Sequence, residues 1–389
     1  MDQKKKNVIM LAAIILIACC LRSPITGLGP VIPMISAELS LSGSAAGMLT
    51  TIPLLAFALV SLFTSALARR FGAGYVMLCG IIVTIAGILI RSFLGIPGLF
   101  AGSVVLGLGI GVNNVLLPAV IKTGFPSKIG TITGTYTTVM AACASISGAI
   151  AVPLALRFGW RISILAWGCI AFLALIAWLP GRKIKLTEEP VRTKRRSVAR
   201  SSMTWWITLY MGLQSIMFYC FVAWFATMAQ SKGYSETTAG ILNSIMMLCG
   251  LPGSFIMAVV AGRTRHLSFW GAFLGFLYTV GMLSMIFAEN PVAMGLAMFG
   301  TGFGSGACLS LCMLLFNIHT RDAQDASSVS ALAQGLGYLV SAIGPVFMGR
   351  IFDMAGTWTV PLLILTGIGM ATMVFGWLSG RDRIIDTAS

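Results

Sequence analysis

Twelve times between Val8 and Gly380 the chain runs through about twenty apolar residues, enough for a helix to cross the roughly 30 Å hydrocarbon core of a bilayer. The runs are 8–36, 44–68, 74–94, 97–121, 130–156, 161–180, 204–230, 236–261, 267–288, 291–318, 325–349 and 356–380. Each is continuously apolar rather than alternating, so backbone polar groups have to be satisfied within the segment, which lipid allows only for helices. The expected fold is therefore an all-α polytopic membrane protein with twelve transmembrane helices. With 57% hydrophobic and 10% charged residues, the chain falls well below the roughly 25% charge of soluble domains.

The net charge of +15 would suit nucleic acid only if the basic residues shared a face, and they do not. With Lys4, Lys5 and Lys6 placed inside, 20 of the 26 Lys and Arg fall in inner loops. Arg91, Arg157, Arg161, Lys232 and Arg350 lie at outer ends, and Arg22 lies within a span. That asymmetry predicts both termini on the cytoplasmic side and makes membrane lipid, not nucleic acid, the partner of the charge. No motif calls for a cofactor. The nine cysteines all fall in apolar runs without metal or redox spacing and read as small packing residues.

One long polar segment, 181–203, divides the runs six and six and reads as a basic cytoplasmic linker between bundles at 1–180 and 204–380, with a short tail at 381–389. The halves repeat. "SGSAAGML" at Ser42 answers "SETTAGIL" at Ser235, "LRS" at Leu21 faces "LQS" at Leu213, and "GLGIG" at Gly107 faces "GFGSG" at Gly302. Two pseudo-symmetric six-helix bundles place a solute site near the midplane between them. The glycine clusters superficially match dinucleotide loops, but they lie inside apolar runs with no preceding strand, so close helix packing is their expected role.

Arg22 sits fourteen residues after Val8, about 21 Å into the first run at 1.5 Å per residue. An arginine at that depth costs about 2.5–3.5 kcal/mol, so it should face an aqueous cavity and a compensating group. Along an unbroken helix Arg22, Thr26, Gly29 and Pro33 share a face, and Pro24, Pro30 and Pro33 loosen it. All eleven acidic residues lie in loops or at span ends, as do both histidines, so the compensating group is either a bound solute or a set of neutral acceptors. Candidate partners in other spans are Asn114, on the face of Gly107 and Gly111, and Asn113, turned about 100° away. To these are added Tyr136, the stripe of Gln214 and Phe221, and Gln334 with Tyr338. For each neutral residue an interhelical hydrogen bond is the competing role.

At these residues the sequence resembles the major facilitator superfamily, and within it the cyanate permease and 2-nitroimidazole transporter family. "LRSPITGLGP" resembles the first-span signature, "GIGVNNVLLPAVIKTGFP" the fourth span and "AQGLGYLVSAIGP" the eleventh. The resemblance implies a monomeric secondary transporter in a bacterial cytoplasmic membrane, working by alternating access on a small anion or polar heteroaromatic. One departure stands out: the loop after the second span has Arg69 and Arg70, with Arg69 where the superfamily pattern is acidic, and Ala73 and Gly74 where it is basic. A gating role for Arg69 and Arg70 would therefore differ from the usual charge relay. Without a buried carboxylate, an exporter of cationic drugs is disfavoured. An exporter of uncharged aromatic drugs, with Arg22 structural, remains the alternative. An enzyme would need a nucleophile and base, a metal cluster or paired carboxylates at depth, and the sequence offers none.

Overall fold

The computed structural model describes residues 3–41, 43–186 and 197–385. The basic cluster Arg192, Lys194, Arg195 and Arg196 of the linker lies outside them. Through the first half, the α-helices are α1 (Gln3–Thr26), α2 (Ile32–Leu39), α3 (Gly43–Phe71), α4 (Ala73–Phe93), α5 (Gly95–Gly124), α6 (Ile129–Phe158) and α7 (Trp160–Trp178). The second half follows with α8 (Ser202–Ser231), α9 (Glu236–Ala261), α10 (Leu267–Phe287), α11 (Pro291–Ile318), α12 (Ala323–Ala355) and α13 (Thr359–Ser379). Twelve of the described stretches are long and apolar enough to cross a membrane, in keeping with the twelve runs.

The first run departs from expectation because it does not stay one helix to residue 36. α1 passes through Pro24 and stops at Thr26; a turn at Gly27 and Leu28 and a 3-10 turn at Gly29–Val31 lead into α2. Pro30 and Pro33 cannot donate to the carbonyls of Thr26 and Gly29, so the helical ladder fails over this segment. The Leu28 amide bonds to Ile25 at 3.2 Å rather than to Pro24, the tighter spacing of a 3-10 turn, and the Pro24 carbonyl is released from the ladder. The face of Arg22, Thr26, Gly29 and Pro33 expected of a continuous helix therefore ends at Thr26.

The described chain groups into two compact units. The first comprises Met1–Ser127, Val139–Glu189 and Asp322–Ala331; the second comprises Lys128–Thr138, Pro190–Arg321 and Leu332–Ser389. The central helix of the first is α5 and of the second α11: 83% of the most apolar 18-residue stretch of each is buried, more than in any other span. The triple glycines explain how a helix can be so enclosed. In the first unit, a methyl on Gly107 or Gly111 would strike Pro53 or Val60 and Phe57 of α3, and one on Gly109 would strike Thr84 of α4. In the second, Gly302 and Gly306 meet Met246 and Gly250 of α9, while Gly304 meets Tyr278 of α10. The same register recurs at Gly87, against Leu106 and Gly102, and at Gly281, against Thr301 and Ala297. Small residues thus let backbones touch in matching places in each half, the packing role expected of the clusters.

Within the first unit, the broken segment is anchored by a core of Leu28, Val31, Ile35, Leu49, Leu99 and Trp160. α2 is tied to the start of α7 by Glu38, which accepts from Trp160 Nε1 at 2.7 Å and Arg161 Nη1 at 2.6 Å. These two donors hold the Glu38 carboxyl below its ordinary range. Elsewhere in this unit Ser65 Oγ lies 3.3 Å from Ser328 Oγ, and Ser330 Oγ donates to the Val115 carbonyl at 3.0 Å.

Within the second unit, α8 and α12 approach at Gly212 and Gly337, where a methyl on either glycine would stand 3.3–3.4 Å from the other's backbone. Trp224 Nε1 donates to the Pro345 carbonyl at 2.7 Å farther along the same pair. The segment after α13 is not merely a polar tail. Ile385 is fully buried and donates its amide to His319 O at 2.7 Å, His319 Nδ1 lies 2.8 Å from Arg383 O, and Arg381 and Arg383 stand over the Trp206 ring. Residues 386–389 lie outside the described chain. Burial pushes the His319 imidazole below its ordinary range.

Candidate functional site

Arg22 lies on the last complete turn of α1 before the break and is half-buried. Thr26, one turn on, sets its hydroxyl 2.6 Å from Ser147 Oγ and 3.2 Å from Ala144 O of α6, as well as 3.1 Å from its own Arg22 carbonyl. Gly27 follows because the Trp167 indole lies where its side chain would be, with Nε1 2.9 Å from an added methyl. The turn bearing Arg22 is thereby pressed against α6 and α7 of its own unit. Released by the 3-10 turn, the Pro24 carbonyl accepts from Arg91 Nη2 of α4 at 2.5 Å.

Asn113 and Asn114 diverge as their helical offset dictates. Asn113 points toward α4, where its Nδ2 lies 2.7 Å from a methyl built on Gly80, and it donates to the Gly109 carbonyl at 3.0 Å. It borders a cavity among α1, α4, α5 and α7 with Cys20, Leu21, Ile81, Thr84 and Ile110, and its buried Oδ1 has no hydrogen-bond partner there. The space suits about one water molecule. Asn114, also buried, comes one turn after Gly111 on the side where α5 meets α3.

The remaining sequence candidates belong to the second unit. Gln214 is buried on α8 and donates to Ser215 Oγ at 2.7 Å and to the Met211 carbonyl at 3.2 Å. Phe221 is fully buried and stacks on Phe225 at 4.7 Å, an α8 neighbour one turn away. Tyr136, from the start of α6, is buried within electrostatic reach of Tyr338 of α12, and its hydroxyl has no hydrogen-bond partner. Tyr338 meets Tyr219 of α8 edge to face at 6.1 Å. Gln334, one turn before Tyr338, is fully buried beside the close approach at Gly337. Tyr136, Tyr219 and Tyr338 therefore form one cluster, whereas Gln214 and Phe221 pack along α8.

Arg69 and Arg70 are exposed at the end of α3: Arg69 Nη1 lies 3.4 Å from Ser65 Oγ, and Arg70 covers the Phe71 ring. The absence of basic side chains at Ala73 and Gly74 has a local reason. The Gly74 amide donates to Ile184 O at 2.9 Å, its carbonyl accepts from Trp178 Nε1 at 2.9 Å, and a methyl there would overlap the Gly181 carbonyl. The start of the linker occupies that surface.

Two residues of consequence were missed in the sequence. Arg91 reads as a terminal charge of the third run, yet is 1% exposed. Lys232 reads as a loop charge, yet its Nζ donates to Met285, Ile286 and Ala288 carbonyls at 2.6, 2.9 and 3.1 Å. Their signal was rarity, since both are among the few cations on the side where basic residues are scarce.

A family model described as the Major Facilitator Superfamily matches residues 14–345. The 2-nitroimidazole transporter of Escherichia coli strain K12 is 35% identical over 98% of each chain. The cyanate transport protein CynX of the same organism is 25% identical over 94% of this chain and 97% of its own. A solved structure of the proton:xylose symporter XylE aligns with a TM-score of 0.82 over 99% of this chain and 98% of that one; at 12% identity the likeness is one of fold.

Proposed function

The chain belongs to the major facilitator superfamily and is a membrane transporter, not an enzyme; from that premise we propose that it carries a small anion or strongly polar heteroaromatic by alternating access, with Arg22 presenting its guanidinium to the solute. The observation that carries this reading is a half-buried arginine at mid-span, on the turn where α1 gives up its helix. So costly a residue in a membrane helix is the default mark of a solute pathway.

Two relatives support the solute class. One is named for 2-nitroimidazole and the other for cyanate, a neutral heteroaromatic and a small anion. A guanidinium serves either, pairing with the anion's charge or forking two hydrogen bonds onto a nitro group. In the first unit Asn114 is the further candidate for contacting the solute, with Thr26 and Asn113 engaged by α6 and α4; in the second unit, taken by itself, the candidates are Tyr136, Gln214, Phe221, Gln334 and Tyr338. Two carboxylates, Asp322 and Asp325, are buried against the sequence expectation, but they stand at the start of α12 rather than at the depth of Arg22, which favours facilitated flux, exchange, or symport of a proton with a weak-acid anion over a dedicated protein proton carrier. The protein works as a monomer in a bacterial cytoplasmic membrane, both termini inside, with Arg69 and Arg70 acting in gating from the last turn of α3 rather than from a loop. A second reading, export of an uncharged aromatic, draws on the Tyr136, Tyr219 and Tyr338 cluster.

The test is counterflow into proteoliposomes loaded with cyanate or with 2-nitroimidazole, alongside neutral aromatic drugs. Uptake of labelled cyanate or 2-nitroimidazole supports the proposal; uptake confined to uncharged drugs replaces it with the second reading.

A further inference from the structure

We infer that Arg91 is a positioning residue for Arg22: it holds the broken end of α1 by supplying the hydrogen bond that the Pro24 carbonyl loses from the helix ladder. The inference rests on the proposed role of Arg22.

At the break, Leu28 turns its amide to Ile25 and leaves the Pro24 carbonyl with no backbone donor, and Arg91 Nη2 reaches it from α4 at 2.5 Å. A carbonyl left unmet in the apolar interior is costly, and a charged donor is the strongest replacement. Arg91 is 1% exposed, and its Nε and Nη1 have no hydrogen-bond partner. So expensive a burial secures a single contact, two residues beyond Arg22. From the opposite side Thr26 is pinned to Ser147 at 2.6 Å. The turn bearing Arg22 is thus gripped by α4 and α6, which fixes where its side chain leaves the helix.

The second half offers an independent parallel. By the register that pairs Gly87 with Gly281, Arg91 falls opposite Met285. The Met285 carbonyl accepts from Lys232, the residue that follows α8. Each half therefore uses one cation to bind the end of its third spanning helix to its first, with donor and acceptor exchanged between the repeats.

Hydrogen exchange of the purified full-length protein tests the clamp without any solute, and counterflow of cyanate and 2-nitroimidazole tests its consequence. In Arg91→Met, exchange of the amides between Ile25 and Ile32 should quicken roughly tenfold while α9–α11 keep wild-type rates, and Arg91→Lys should restore most of the protection. The KM of whichever probe is carried should rise several-fold in Arg91→Met, with Vmax within about twofold. Unchanged exchange at residues 25–32 overturns the inference, as does faster exchange spread evenly over the first unit. A quickened segment with unchanged KM in a carrying protein also overturns it. If wild type carries neither probe, the transport reading fails while segment-confined exchange still upholds the clamp. Should Arg91→Met not fold, Arg91→Gln, which keeps a neutral donor, is held to the same exchange pattern at a smaller size.

Discussion

Gly306→Ala should destabilise the second unit out of proportion to the single methyl it adds. That methyl would overlap the Gly250 carbonyl oxygen and stand 2.7 Å from its carbon and 2.8 Å from its Cα, where ordinary contact begins at 3.4 Å. The obstruction is backbone and the overlapping carbonyl oxygen sets the demand, so α9 and α11 have to part by about 1 Å or more, enough to forfeit about half of the dispersion well along the facing rows. Parting also strains the Ser254 bond to the Gly306 carbonyl, 2.8 Å long, of a kind worth about 0.6 kcal/mol in membrane bundles. Added to the roughly 1–3 kcal/mol of overpacking, the cost is about 2–4 kcal/mol. At about 2–4 °C per kcal/mol for a unit of this size, Tm should fall by about 4–16 °C in a detergent melt followed by tryptophan fluorescence. Gly367→Ala, at an exposed position with nothing within 4 Å, is the control and should stay within about 1 °C. Gly111→Ala should fall between them, because its nearest neighbour is the Val60 side chain. Equal melting of Gly306→Ala and Gly367→Ala would refute the claim that these glycines exist for backbone contact.

Three other outcomes follow from named contacts. Glu38, held below its ordinary range by Arg161 and Trp160, contributes fully above the unfolded carboxylate pKa and loses that contribution as pH falls through its folded value. Acid should therefore lower the Tm of wild type more than that of Glu38→Gln. His319, depressed by burial, is neutral in the folded state, so stability is complete above about pH 6.5 and declines as pH falls toward its folded pKa. His319→Gln should flatten that decline, and limited proteolysis between Arg381 and Ile385 should quicken on acidification in wild type alone. Lys232→Met removes the donor from three carbonyls at the end of α10 and should cost about 1–2 kcal/mol, read as a lower Tm, with Lys232→Arg recovering part of it.

The fold was legible because its physics is written locally. Twelve apolar runs specify twelve crossings, and glycines recurring at helical spacing mark where helices touch. The break after Thr26 was half legible: Pro24, Pro30 and Pro33 announce a weakened helix, but only the hydrogen bonds show that the ladder fails at Leu28 and which carbonyl is freed. The site was less readable because a polar residue in a span declares its cost and not its partner. Thr26 looked free to meet a solute and instead reaches Ser147, while Asn113 turns toward α4. Arg91 was hidden because its role depends on a carbonyl sixty-seven residues away. The short segment after α13 escaped notice for the same reason, since Ile385 is buried against His319, a residue of another helix end.

The central claim is that the Arg22 guanidinium meets the solute, and it is tested most directly by counterflow of cyanate and 2-nitroimidazole in wild type, Arg22→Lys and Arg22→Ala, each first shown to melt cooperatively. The account predicts that Arg22→Ala abolishes flux of the carried probe, and that Arg22→Lys retains cyanate better than 2-nitroimidazole, because a point charge satisfies the anion but lacks the planar fork. Wild-type flux in a folded Arg22→Ala would contradict it and make Arg22 a structural residue.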